Sequence, residues 1–163
     1  MPITSESFRD VLRHFPAGVT IVTIKSPASD ALHGLTVSAF ASVSPEPPLV
    51  LVSIDHRATA YELLECAGAS FAVNILAHDQ MELSNRFAWL KDEDRFEQGD
   101  WDTAATGAPI LRDALAWLDC TVYSRLAAGS HTIYIGEVQA SGVARADVKP
   151  LVYWNRGYRQ LAK

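Results

Sequence analysis

The sequence predicts a mainly β domain, an antiparallel barrel carrying a few peripheral α-helices. Three observations lead there. Short β-branched or alternating segments recur along the chain, separated by turn residues. Helical periodicity is confined to three short stretches. No regular strand–helix–strand alternation and no solenoid or propeller repeat runs through the chain. At 163 residues a single domain over 1–163 is expected, able to bury about two thirds of its surface and so to enclose a cofactor.

The elements follow in order. Phe8, Val11, Leu12 and Phe15 fall at i, i+3, i+4 and i+7, so an amphipathic helix opens the chain, with Thr4 or Ser5 as its cap and Pro16 as its stop. Residues 19–25 are β-branched and strand-like, and residues 26–31 hold the Pro, Ser and Asp of a loop. From His33 a strand returns in which Leu35, Val37, Ala39, Ala41 and Val43 alternate with Thr36, Ser38, Phe40, Ser42 and Ser44. One apolar face and one face nearly all hydroxyl are expected. Hydroxyls donate and accept at low bulk, so such a row suits either the rim of a polar, planar ligand or open solvent.

Pro45, Pro47 and Pro48 mark a turn, and the almost wholly apolar run 49–54 predicts a strand buried on both faces. The loop 55–58 leads to a helix starting at Thr59, where Thr59 and Glu62 have capping-box spacing and Gly68 is a terminator. A helix start beside His56 and Arg57 suits an anion such as phosphate; the alternative is a solvated arginine and a plain cap. Residues 70–76 form a strand interrupted by Asn74, which needs partners if buried. Asp79 and Glu82 open another helix with Leu83, Phe87 and Leu90 on one stripe. Residues 91–112 are mixed and loop-like, as segments serving a site or interface often are. A long strand pair, 114–126 and 132–145, turns around Gly129, Ser130 and His131, and a short hairpin, 151–154 with 158–161, turns at Asn155, Arg156 and Gly157.

Composition narrows the function classes. Fourteen Lys and Arg against nineteen Asp and Glu leave a net charge of −5, which argues against nucleic acid or an anionic membrane surface as a partner. The most apolar run, 49–52, is far too short to cross a bilayer. The first residues, MPITSESFRD, lack the basic start and apolar run of a secretory signal, so a cytoplasmic location is expected. Cys66 and Cys120 are far apart and outside any CxxC pair, and the five histidines lack HExxH spacing, so no metal site is expected. GxSxG, Walker and GxGxxG motifs are absent from the sequence.

Six segments in order, FPAGVTIVT at 15–23, HGLTVSAFASVSPEPPLVLVSI at 33–54, FAVNILAHDQ at 71–80, RF at 86–87, GSHTIYIGEV at 129–138 and PLVYWNRGY at 150–158, cover nearly the whole chain. Through them it resembles the short-chain flavin reductases of two-component flavin-dependent monooxygenases, which share a flavin-binding split β-barrel. The resemblance implies FMN or FAD as cofactor, with Thr36, Val37, Ser38, Ser42, Val43 and Ser44 along the isoalloxazine and ribityl chain. It puts the flavin phosphate at Arg57, Ala58 and Thr59, where the helix start independently suggests an anion. Ser38 near flavin N5 and His131 near the nicotinamide are the implied catalytic residues. Asn74, Arg86 and Tyr158 would complete the pocket. The bottom-up alternatives are that Asn74 ties strands together, Arg86 pairs with an acid, Tyr158 packs in the core or a dimer interface, and His131 is a turn residue.

The implied reaction is hydride transfer from C4 of NADH or NADPH to flavin N5, with the cofactors carrying the chemistry. No basic cluster for an extra phosphate stands out, which favours NADH. The reduced FMN or FAD would be supplied to a partner monooxygenase, and a homodimer is implied. Two alternatives are reduction of another acceptor, such as a cobalt corrinoid, and a flavin-binding module without turnover.

Overall fold

The structure is a computed structural model that describes residues 2–162, apart from the side chains of residues 92 and 93. A helix α1 (Ser5–Leu12) leads into β1 (Ala17–Gly18), β2 (Thr20–Lys25), β3 (Leu32–Val37), β4 (Phe40–Pro45) and β5 (Pro48–Asp55). Helix α2 (Thr59–Leu64), β6 (Ser70–Ile75), α3 (Met81–Trp89) and α4 (Asp92–Arg95) follow. The chain then forms β7 (Trp101–Thr103), β8 (Pro109–Leu111), the long pair β9 (Ala116–Ala128) and β10 (His131–Val143), and a final hairpin, β11 (Val152–Trp154) with β12 (Gly157–Arg159).

Seven strands form one antiparallel sheet in the order β3-β2-β6-β9-β10-β5-β4. Its two edge strands, β3 and β4, are consecutive in the chain and joined only by Ser38 and Ala39. Such a link reaches at most about 10 Å, whereas flat strands at these positions would lie about 29 Å apart. The sheet therefore curls until its edges meet without pairing: a split barrel with its seam at Ser38–Ala39. Beside the seam Ser53 donates its N–H to the Ala39 carbonyl at 3.1 Å, prolonging the β4–β5 pairing to the link itself.

The barrel interior holds Val22, Ile24, Val52, Ile54, Phe71, Val73 and Tyr134. A second cluster, Val19, Ile21, Leu76, Phe87, Leu111 and Leu151, lies beneath α3. Cys120 is buried in the first cluster, and desolvation pushes its thiol up to about 12, so it packs as an inert apolar residue.

Several local expectations need correcting. The run 33–44 is two strands, because the chain changes edges at Ser38 and Ala39, and β4 carries a bulge between Ser42 and Ser44 that takes Val43 out of register. Strand β5 alternates buried with partly exposed residues and is not covered on both faces. Ala58 is the N-cap of α2 and makes no side-chain cap, so Thr59 stands first inside the helix and the capping box does not form. Gln80, not Asp79, occupies the N-cap position of α3 and makes no side-chain cap bond; the Asp79 carboxylate is spent on Arg145, at 2.9 and 2.6 Å. Residues 91–112 contain α4 and the β7–β8 hairpin. Other expectations hold: Thr4 caps α1, its hydroxyl accepting from Ser7 N–H at 3.1 Å, and Asn155 and Arg156, at φ 49° and 62°, make the tight terminal turn.

Candidate active site

The seam leaves a groove roofed by the end of α3. Thr36 on β3 donates its hydroxyl to the Ser84 carbonyl at 2.6 Å, pinning the helix across the edge strand. Tyr158 on β12 shares its hydroxyl with Ser84 Oγ at 2.8 Å and donates to Asn85 Oδ1 at 3.1 Å, holding the same helix from the other side. Beyond the helix, Arg95 donates to the carbonyls of Leu90, at 2.8 Å, and Gly34, so the 90–95 segment is anchored on β3 as well.

Two cavities open here. The larger, about 530 Å³, lies between β3, the start of α2 and the end of α3, and its wall includes Arg57, Ala58, Thr59, Lys91 and Arg95. The smaller, about 180 Å³, is bounded by Ser38, Tyr153 and Tyr158. Both are walled by Thr36, Ala88 and Trp89, so they are two ends of one groove. The larger falls in the range of small-molecule sites.

The cationic end is built by β5 and α2. The loop turns through Asp55, whose carbonyl accepts Ala58 N–H at 3.0 Å and whose Oδ1 accepts Arg57 N–H at 2.9 Å. Arg57 then returns its guanidinium to the same carboxylate, Nη2 to Oδ2 at 2.6 Å. These bonds from Arg57 hold the Asp55 carboxyl well below the usual carboxylate range, with a smaller contribution from His131. Thr59 and Ala60, in the first turn of α2, have N–H groups with no intrahelical acceptor.

The sequence-derived site residues divide clearly. Arg57, Ala58 and Thr59 line the larger cavity, Ser38 and Tyr158 the smaller, and Thr36 both. Val37 is buried, its carbonyl accepting from Thr20 Oγ1 at 2.6 Å. Ser42 and Val43 lie exposed on the outer edge strand, and Ser44 closes the turn to β5 through two 3.1 Å bonds with Glu46, so none of the three lines either cavity. Asn74 is fully buried: its amide donates to Ile21 O and Thr23 Oγ1, both at 3.1 Å, and its Oδ1 accepts Leu111 N–H at 2.8 Å. It is a fully buried strand tie and lines neither cavity. Arg86 is a brace, donating to the Arg95 carbonyl at 3.1 Å, the Asp94 carbonyl and Glu97 Oε2 at 3.1 Å. His131 lies opposite Asp55 in the β5–β10 register, with Nδ1 at 3.0 Å from Ser130 Oγ. Neither cavity is lined by it, so one chain does not bring Ser38 and His131 to a common wall of the groove.

Sequence reasoning missed Trp89, Lys91 and Tyr153. Trp89 is 82% exposed and stands where the two cavities meet. It lies off the Leu83–Phe87–Leu90 stripe, and a tryptophan on the polar side of an amphipathic helix was the available signal.

A hydroxyl, three aromatic side chains and a cationic end along one groove fit a flat, polar ring with an anionic tail. The profile of the flavin reductase like domain matches residues 12–162. The reductase component of the FADH(2)-dependent resorcinol hydroxylase of Rhizobium sp. (strain MTP-10005) is 38% identical over 154 residues, 94% of this chain and 85% of that protein. The flavin reductase (NADH) of Kitasatospora aureofaciens is 39% identical over 158 residues, 96% and 81% of the two chains. Among solved structures, the Streptomyces globisporus C-1027 NADH:FAD oxidoreductase SgcE6, in complex with NAD and FAD fragments, superposes with a TM-score of 0.88 at 30% identity, covering 99% of this chain and 97% of that one. The chain belongs to the flavin reductase family and is an NAD(P)H-dependent flavin oxidoreductase.

Proposed function

We propose that the protein supplies reduced flavin to a separate oxygenase component, working as a homodimer in the cytoplasm with flavin as a substrate that enters and leaves. The observation that carries the reading is the continuous groove at the seam, cationic at Arg57 and hydroxylated and aromatic at Ser38, Tyr153 and Tyr158. Similarity to a reductase component of a two-component hydroxylase supports the choice of partner. No helix among the described residues is long and apolar enough to cross a membrane.

Arg57, with the free N–H groups of Thr59 and Ala60, would hold the flavin phosphate, combining charge with backbone donors. Ser38 would face the ring, and Trp89, Tyr153 and Tyr158 would limit its plane and exclude water. When bound, the flavin supplies the hydride acceptor for NADH. The chain's contribution is to align the two ring systems and to offer the Ser38 hydroxyl as a hydrogen-bond donor where negative charge grows. His131 is assigned to the cationic end, beside Asp55, and not to the Ser38 end.

The homodimer is supported by α1. None of its residues is buried, and Phe8, Val11 and Leu12 are exposed, with Phe15 just beyond at 75%. The helix is nevertheless anchored: Asn155 N–H donates to the Arg13 carbonyl at 2.8 Å and Trp154 Nε1 to the His14 carbonyl at 3.1 Å. A fixed helix with an open apolar face fits a second copy of the chain.

The decisive experiment is anaerobic mixing with NADH and added FMN or FAD, following the flavin's visible absorbance. Protein-dependent bleaching is expected. Flavin binding without bleaching would overturn the reductase reading in favour of a binding module.

A further inference from the structure

We propose that Asp55 is a positioning residue that acts through Arg57 as a built-in counter-charge, weakening the grip of the groove on a flavin phosphate so that reduced flavin is released. The inference rests on the reading of Arg57 as the phosphate residue. Asp55 engages the guanidinium by three contacts, Nε to Oδ1 at 3.1 Å, Nε to Oδ2 at 3.2 Å and Nη2 to Oδ2 at 2.6 Å. All lie on one edge of the guanidinium and none uses Nη1. A fourth bond, Arg57 N–H to Oδ1 at 2.9 Å, closes the turn on the same carboxylate. The pair is complete within three residues of chain, so it forms with the turn and requires no ligand.

Any phosphate meeting Arg57 must share it with a fixed carboxylate, and two anions on one cation repel each other. The Arg57 side chain is 90% exposed, so water and salt screen that repulsion. An effect of about three- to tenfold on affinity is expected at low ionic strength. Asp55 stays ionised throughout the neutral range because Arg57 stabilises its charged form, so the counter-charge does not switch with ordinary changes of pH. The groups around Asp55 are His131 opposite it in β10, His56 and Arg57 on its own turn, and Ser130, whose carbonyl accepts His56 N–H at 3.0 Å. The flavin phosphate keeps its charge when the ring is reduced, so the counter-charge lowers the affinity for oxidised and reduced flavin alike.

The test is Asp55→Asn, which keeps an oxygen to accept Arg57 N–H and removes the charge together with the acceptor of Arg57 Nη2. Dissociation constants for FMN and for riboflavin, which has no phosphate, are measured by fluorescence quenching at low and high salt. The expected result is FMN binding about three- to tenfold tighter at low salt, a gain that shrinks at high salt, slower release of reduced FMN, and unchanged riboflavin binding. Unchanged or weaker FMN binding overturns the inference. Arg57→Ala separates the two layers: it should weaken FMN and leave riboflavin alone. If it leaves FMN unchanged, the phosphate reading falls and the counter-charge with it; if it weakens FMN while Asp55→Asn tightens nothing, only the counter-charge falls. Should riboflavin binding reveal a misfolded Asp55→Asn protein, Asp55→Ser carries the same readout, and Asp55→Glu should restore wild-type FMN affinity.

Discussion

The Thr36 hydroxyl is given to the Ser84 carbonyl, 2.6 Å away, and so is spent on holding α3 over the groove. Two residues on, the Ser38 hydroxyl has no hydrogen-bond partner among the described residues and lines the same groove. Neighbouring hydroxyls thus have different work, one structural and one left for a ligand.

Replacing Ser38 by Ala should therefore slow hydride transfer about tenfold or more while changing flavin affinity little, since it removes a donor to developing charge. Stopped-flow reduction rates set beside flavin dissociation constants check this. A larger loss in binding than in rate would remove Ser38 from that role.

Asn74→Ala strips partners from the Ile21 carbonyl, the Leu111 N–H and Thr23 Oγ1 in the core. A loss of about 2–4 kcal/mol is expected in urea unfolding. The folded fraction should bind flavin with wild-type affinity, which a direct ligand role would not allow.

A methyl group at Gly136 would come within 2.5 Å of Phe71 Cζ and 3.0 Å of Cys120 Cβ. Phe71 is fully buried and cannot retreat, so Gly136→Ala should destabilise by about 1–3 kcal/mol. Thermal unfolding measures it, and a neutral result would mean that the barrel interior is looser than its packing implies.

Charges placed on the apolar face of α1, as in Phe8→Glu with Leu12→Glu, should convert a dimer to monomer in sedimentation velocity. The helix buries none of its residues within the chain, so the fold itself should survive, as circular dichroism would record.

Asp79 is held below the usual carboxylate range chiefly by its hydrogen bonds to Arg145. A depressed carboxyl stabilises the fold above its unfolded value, about 4, and loses that contribution as pH falls through the folded value. Asp79→Asn should therefore cost stability at pH 7, by about 1 kcal/mol at most for so exposed a pair. The deficit against wild type should vanish well below pH 4. Urea midpoints at both ends of that range decide it.

The parts of the fold legible in the sequence were those set by neighbours: the capped, amphipathic α1, the β2–β3 return and the Asn155–Arg156 turn all depend on residues a few positions apart. The seam was invisible because alternation runs on unbroken through Ser38 and Ala39, and only the sheet order shows that the chain changes edges there. The use of Asn74 was equally hidden, since its acceptor is filled by Leu111, 37 residues later. Arg57 and Thr59 could be singled out by helix-terminus physics alone, but the carboxylate that occupies Arg57 required knowing how the Asp55 turn closes. Trp89 escaped because periodicity ranks residues by the core they face, and this one faces the groove.

The seam makes the groove a late product of folding. The β2–β3, β4–β5 and β9–β10 hairpins can each form from nearby chain, whereas the pairings of β2 with β6 and β5 with β10 join distant segments and must wait for slower closure. Only when both are made do Thr36 and Arg57, carried on the two sides of the seam, line one cavity. A half-assembled chain has no place for the ligand. Flavin therefore acts only on the completed barrel, raising its stability in proportion to the logarithm of ligand concentration, and the cell's flavin supply becomes a determinant of how long each copy of the enzyme survives.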